Sequence, residues 1–176
     1  LSLARTADDL AAGIARALEH DREVMVEQYL KGRELTVGVF GNRRLTALPV
    51  IEIVPGPGYE FFDYQAKYQA GATREICPAE IGAAATSRAQ ELGLAAHRAL
   101  RLRGYSRTDM ILTASGECCL LETNTIPGMT ATSLMPQAAA VQGLPFAAFL
   151  ETLVELGLEE RGPSPTEISR RCAPGS

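Results

Sequence analysis

Two apolar runs, YSRTDMIL at 105–112 and ECCLLETN at 117–124, flank a Ser115-Gly116 turn and dictate a β-hairpin. If Ser115 and Gly116 form a two-residue turn, Asp109 faces Glu122 and Arg107 faces Asn124. All four then share one face, because strand side chains alternate with period two. Facing β-carbons lie about 4.5–5.5 Å apart, so two opposed carboxylates repel unless something positive sits between them. Oxygen donors of the Asp, Glu and Asn type suit Mg²⁺, which binds through one or two carboxylates and completes its shell with water and phosphate oxygens. Arg107 adds a planar fork for a phosphate or a developing oxyanion. Spacing alone is equally consistent with exposed hairpin charges. The Pro127-Gly128 turn and the hydroxyl run after it weigh toward a site, since Ser133 at a helix start offers backbone N–H groups and a positive dipole end to an anion. Plain N-capping is the commoner use of such a serine.

The remaining pattern points to one domain over residues 1–158, of class α+β with a largely antiparallel sheet and packed helices. With 176 residues and 46% hydrophobic content, the chain can bury one good core. Thr6 and Asp9 predict a capping box for a helix running to about His20. Leu1–Arg5 reads as a strand already under way, so an earlier part of a longer protein is expected. EVMVEQYL (23–30), ELTVGVF (34–40) and LTALPVIEIV (45–54) predict an antiparallel meander, with GNRR as its second turn. Residues 55–73 predict a long functional loop. Pro78 is placed at the first helical position of the longest helix, whose stripe is Ile81, Ala85, Ala89, Leu92, Ala96 and Leu100, ended by Gly104. Ser133 is expected to cap a helix to about Gly143, and a last helix from Phe146 stops near Gly157. Residues 159–176, polar and rich in Pro and Gly, read as a disordered tail.

A net charge of −4 with 17 scattered Lys and Arg residues gives no footprint for nucleic acid. No apolar run approaches the roughly 20 residues of a spanning helix, so no membrane partner is expected and a cytoplasmic location is read. Cys77, Cys118, Cys119 and Cys172 have no C-x-x-C spacing and are expected as reduced thiols. His20 and His97 fall on predicted helices without ligand-like neighbours.

The stretches RTDMIL, LLETNTIPGMTATSLMP and FFDYQAKY, in the same chain, give it a specific resemblance. Over residues 1–157 it resembles the C-terminal half of a D-alanine–D-alanine ligase, a member of the ATP-grasp superfamily. The resemblance implies an ADP-forming ligase that joins two D-alanine molecules through a D-alanyl phosphate for peptidoglycan precursors. ATP would be the co-substrate, and a homodimer is the candidate assembly. It implies that Asp109, Glu122 and Asn124 hold two Mg²⁺ ions, with Mn²⁺ as the possible substitute, and that Glu122 is shared between them. Arg107 and the Gly128 backbone would stabilise the tetrahedral intermediate, and Ser133 with Leu134 would receive the carboxylate of the second D-alanine. Lys67 would contact the γ-phosphate, and Tyr68 would help close the loop and favour D-alanine over D-lactate. Glu27 and the backbone from Gln28 to Leu30 would read adenine, and Glu34 would take the ribose hydroxyls. Gln28 departs from the lysine common in the family, which implies weakened nucleotide binding. The implied alternatives are another ATP-grasp carboxylate–amine ligase, such as one using D-lactate, and a non-catalytic ATP-grasp-like binding domain.

Overall fold

Strand β1 (Gly32–Gly41) is the axis of the molecule, because both of its edges are paired. The computed structural model describes residues 2–56 and 73–159. On one edge of β1 lie β2 (Leu45–Ala47) and β3 (Ile51–Pro55), both antiparallel to it, and β4 (Thr73–Ile76) continues outward from β3. On the other edge lie β5 (Gly104–Thr113) and then β6 (Cys118–Asn124), again antiparallel. The order is β4-β3-β1-β5-β6, with β2 beside β1. The expected third strand of the meander is thus two strands, parted at Leu48-Pro49-Val50, where proline has no N–H to give a ladder.

The core is divided between the two faces of the sheet. Leu35, Val37, Val39, Met110 and Leu112 meet α2 (Ala83–Ala99) through Ala89. On the other face Leu48 and Ile51 meet α3 (Leu134–Val141) and α4 (Phe146–Leu158) through Met135, Ala138, Ala139 and Phe149. Phe149 is fully buried and stands edge-on to Phe40, with ring centroids 5.6 Å apart. Burying such a side chain contributes roughly 2–3 kcal/mol. Helix α1 (Ala7–Leu18) has the expected reciprocal Thr6–Asp9 capping box, yet buries none of its residues.

Several expectations are corrected. Residues 2–5 form no strand, and neither does the run 23–30. With both edges of β1 taken, that second run cannot pair with β1 as a meander requires, and Met25, Val26 and Tyr29 remain exposed. The long helix begins at Ala83, not near Pro78, and ends at Ala99, where Arg101 takes φ 53°. Of the expected stripe, Ala89 is buried and Ile81, Ala85 and Leu92 pack half-buried against the core, Gly93 and His97 are buried beside them, and Leu100 at its end is exposed. The short strand β4 was not expected. Loop residues 57–72 and tail residues 160–176 lie outside the described residues. Cys77, Cys118 and Cys119 are free thiols, and burial pushes the thiols of Cys77 and Cys118 up from their usual pKa. Among the described residues no single helix is long and apolar enough to cross a membrane. Helices α3 and α4 pass as a pair only with a 108° bend, and their apolar faces are spent on the sheet.

Candidate active site

The β5–β6 hairpin delivers the expected pairing by an unexpected route. Arg107 lies opposite Asn124, Thr108 opposite Thr123 and Asp109 opposite Glu122. Nearer the turn, however, Met110 faces Leu120 and Leu112 faces Cys118, a register one residue different. The turn is not the two-residue one expected: Thr113 N–H donates to the Glu117 carbonyl, leaving three residues between, with Gly116 at φ 86°. A bulge between Asp109 and Met110 leaves Leu121 as the extra residue and returns the ladder to the pairing that places both carboxylates together.

Arg107 and Asp109 form a closed pair, with side chains 8% and 13% exposed. Arg107 Nε donates to Asp109 Oδ1 at 2.9 Å and Nη2 to Oδ2 at 2.7 Å. Thr36, buried on β1 directly opposite Asp109, donates its hydroxyl to Oδ1 at 2.5 Å. Burial opposes the charge on Arg107. The Asp109 hydrogen bond and charge, helped by Glu122 and Glu34, outweigh it and hold the guanidinium above its ordinary pKa. Asp109 is therefore compensated in the first place by Arg107, which also feels the charge of Glu122.

A carboxylate offers about four lone-pair sites, and three of those on Asp109 are used, so Oδ2 can still give one to a cation. Glu122 is exposed, and Asn124 Oδ1 accepts from the Ile126 N–H at 2.9 Å with a second lone pair to spare. An all-oxygen set of this kind fits Mg²⁺, with the remaining positions left for water and phosphate. Among the described residues no three His, Cys, Asp or Glu side chains gather as a metal centre by themselves.

Arg107 stands opposite Gly38, and a β-carbon at Gly38 would lie 2.8 Å from Leu48 Cδ1 and 3.2 Å from Met135 Cε. The absence of that carbon lets the first turn of α3 come down beside Arg107. Ser133 precedes that turn, and a β-carbon at Gly128 would be 3.1 Å from Ser133 Oγ. Ser133 holds the N-cap position, with its own backbone extended, but makes no side-chain cap. Its Oγ accepts from the Thr130 N–H at 3.0 Å instead. Leu134 opens the helix and is half-buried.

The residues expected at the nucleotide are more scattered. Glu34 shares the face of Asp109, opposite Ile111 on one side and Ile53 on the other. Glu27 and Gln28 are exposed and Leu30 half-buried, on a run outside the sheet. Lys67 and Tyr68 lie outside the described residues. The sequence reading missed Thr36 and Gly38, whose parts appear only once β1 is paired with β5.

Residues 1–155 match the family described as D-ala D-ala ligase C-terminus. The chain belongs to this D-alanine–D-alanine ligase family. A D-alanine--D-alanine ligase of Syntrophobacter fumaroxidans is 56% identical over 160 residues, which is 91% of this chain and 51% of that protein. One of Desulfotalea psychrophila is 58% identical over 161 residues, covering 91% and 50%. Among solved structures, the VanG D-Ala:D-Ser ligase from Enterococcus faecalis superposes with a TM-score of 0.75 at 40% identity, over 86% of this chain and 43% of that one. The D-alanine--D-alanine ligase from Bacillus anthracis complexed with ATP gives 0.72 at 32%, over 87% and 47%. This family chain has the α+β ATP-grasp fold of those neighbours and spans about half the length of the curated relatives it matches.

Proposed function

We propose that this chain supplies the metal-binding and acceptor-binding half of an ADP-forming ligase that joins two D-alanine molecules. The observation that carries the reading is the shared face of Arg107, Asp109, Glu122 and Asn124 beside the Gly128–Ser133 turn, in a chain of this family. The carboxylate of one D-alanine attacks the γ-phosphorus of ATP, ADP departs, and a D-alanyl phosphate forms. The amine of the second D-alanine then attacks the acyl carbon; phosphate leaves, the amine gives up its proton, and a peptide bond results.

Asp109, Glu122 and Asn124 would hold the Mg²⁺ ions. When bound, these neutralise phosphate charge and so lower the cost of bringing the anionic carboxylate to ATP. Arg107 spends two of its five N–H donors on Asp109 and keeps three for a phosphate or the oxyanion of the tetrahedral intermediate. Its orientation is set before substrate arrives, so little reorganisation is needed at the reacting atoms. Ser133 Oγ, with the Leu134 N–H at the helix start, would take the acceptor carboxylate. Glu27, Gln28, Leu30 and Glu34 would line the adenosine side, while Lys67 and Tyr68 would come from the loop. A peptidoglycan precursor is the product's destination, the cytoplasm its place, and a homodimer the assembly in this reading.

The test uses a complete ligase in which this chain follows the preceding half of one of its curated relatives. D-alanine-dependent phosphate release should require Mg²⁺ and fall at least about a hundredfold in Glu122→Ala. D-serine and D-lactate offered with D-alanine should lose the competition. Release that is indifferent to Glu122, or preferential use of D-serine, would overturn the proposal.

A further inference from the structure

The turn that presents Ser133 is held by a side chain that the reaction itself does not call on. Because Ser133 Oγ points back to Thr130, with bonds to its N–H and to its Oγ1 at 2.8 Å, it leaves its helix uncapped. Gln137, one turn into α3, reaches back over the corner: its Nε2 donates to the Thr132 carbonyl at 2.6 Å and to Glu75 Oε2 at 2.6 Å. Both hydrogens of the amide are thereby used. The first bond is a local closure. The second spans 62 residues to the outermost strand, and a cap alone would not need it.

Glu75 lies opposite Ile53, which lies opposite Glu34, which lies opposite Ile111. Direct partners in an antiparallel ladder share a face, so Glu75 belongs to the face that carries Asp109 and Glu122. The geometry points to Gln137 as a positioning residue: a strut from the sheet edge to the Thr130–Ser133 turn that fixes where the acceptor carboxylate is received. This rests on the ligase reading, because only there does the turn meet a substrate. Its effect should fall on the acceptor and spare ATP, since neither Gln137 nor Glu75 is among the residues expected at the nucleotide. The bond to Glu75 is charge-assisted, and the strut holds the turn whether or not acceptor is present.

The experiment compares Gln137→Met, which removes both donors at similar length and helix propensity, with Gln137→Lys, which keeps N–H donors for both acceptors, and with Glu75→Ala. All are made in the complete ligase described above. In Gln137→Met, amide hydrogen exchange at Thr130 and Ser133 should quicken about tenfold, and the KM for the second D-alanine should rise about five- to tenfold, the order expected for one lost hydrogen bond. The KM for ATP and the thermal midpoint should hold within twofold and about 2 °C. Gln137→Lys should restore both readouts, and Glu75→Ala should move them in the same direction by less. Unchanged exchange in Gln137→Met, an equal rise in both KM values, or no rescue by lysine overturns the strut. An inert Glu75→Ala reduces Gln137 to a local cap and overturns it too. If the parent enzyme makes no dipeptide, the ligase reading fails while the exchange data still decide the strut.

Discussion

At the scale of single residues, the opposed acids at 109 and 122 are tolerated because Arg107 and Thr36 were brought to the same carboxylate. Thr36→Val keeps shape but removes the hydroxyl donor. It should weaken Mn²⁺ binding, followed by titration calorimetry with ATP present, by about tenfold, while Thr36→Ser should hold within twofold. Arg107→Met leaves the largely buried Asp109 carboxylate with the Thr36 hydroxyl but no cation, and should cost about 3 kcal/mol in urea unfolding. His97 gives a separate residue-scale effect. It is 1% exposed, its Nδ1 shares a 2.8 Å bond with Ser106 Oγ, and its Nε2 has no hydrogen-bond partner among the described residues. Burial lowers its pKa below the usual value of 6.5, with Arg98 adding to the shift and the Leu102 backbone opposing it. The unfolded chain therefore binds the extra proton between pH 6.5 and the lowered folded value, so stability should fall as pH drops through that window and be level above it. Urea midpoints between pH 5 and 8 should show this slope, and it should shrink in His97→Gln.

At the scale of elements, the site depends on how closely α3 approaches β1. Gly38→Ala would put a carbon 2.8 Å from Leu48 Cδ1 and 3.2 Å from Met135 Cε, both flexible tips that can give way only partly in a packed layer. The expected cost is about 1–3 kcal/mol in unfolding experiments, with the acceptor KM rising as α3 lifts from Arg107. The hairpin shows what was legible at this scale and why. Alternation in YSRTDMIL and ECCLLETN was enough to put Arg107 with Asp109 on one face of β5 and Glu122 with Asn124 on one face of β6; bringing the two pairs together took the register. The turn and the bulge were not readable, because the inserted Leu121 looks like any apolar strand residue until a partner strand counts against it. Two one-residue departures cancel, so the pairing stands although the assumed turn does not.

At the scale of the whole molecule, the chain spans about half the length of the relatives it matches. The expected nucleotide residues Glu27 and Gln28 are exposed on a run that joins no sheet among the described residues. The purified 176-residue chain should accordingly show little or no ligation. D-alanine-dependent phosphate release well above the no-enzyme background, measured on that chain, would contradict this.

What the sequence determined by itself was local: the capping box at Thr6, the strand character of β1, β5 and β6, the apolar stripes of the last helices, and the order of charges along each strand. Each depends on residues a few positions apart, so short-range sterics and alternation suffice to specify it. Tertiary structure alone decided that residues 23–30 stay out of the sheet, that Thr36 and Arg107 converge on Asp109, and that Gln137 reaches Glu75. Those outcomes turn on which strand edges are already taken and which faces are already covered, and such competition between distant segments leaves no mark in the local pattern.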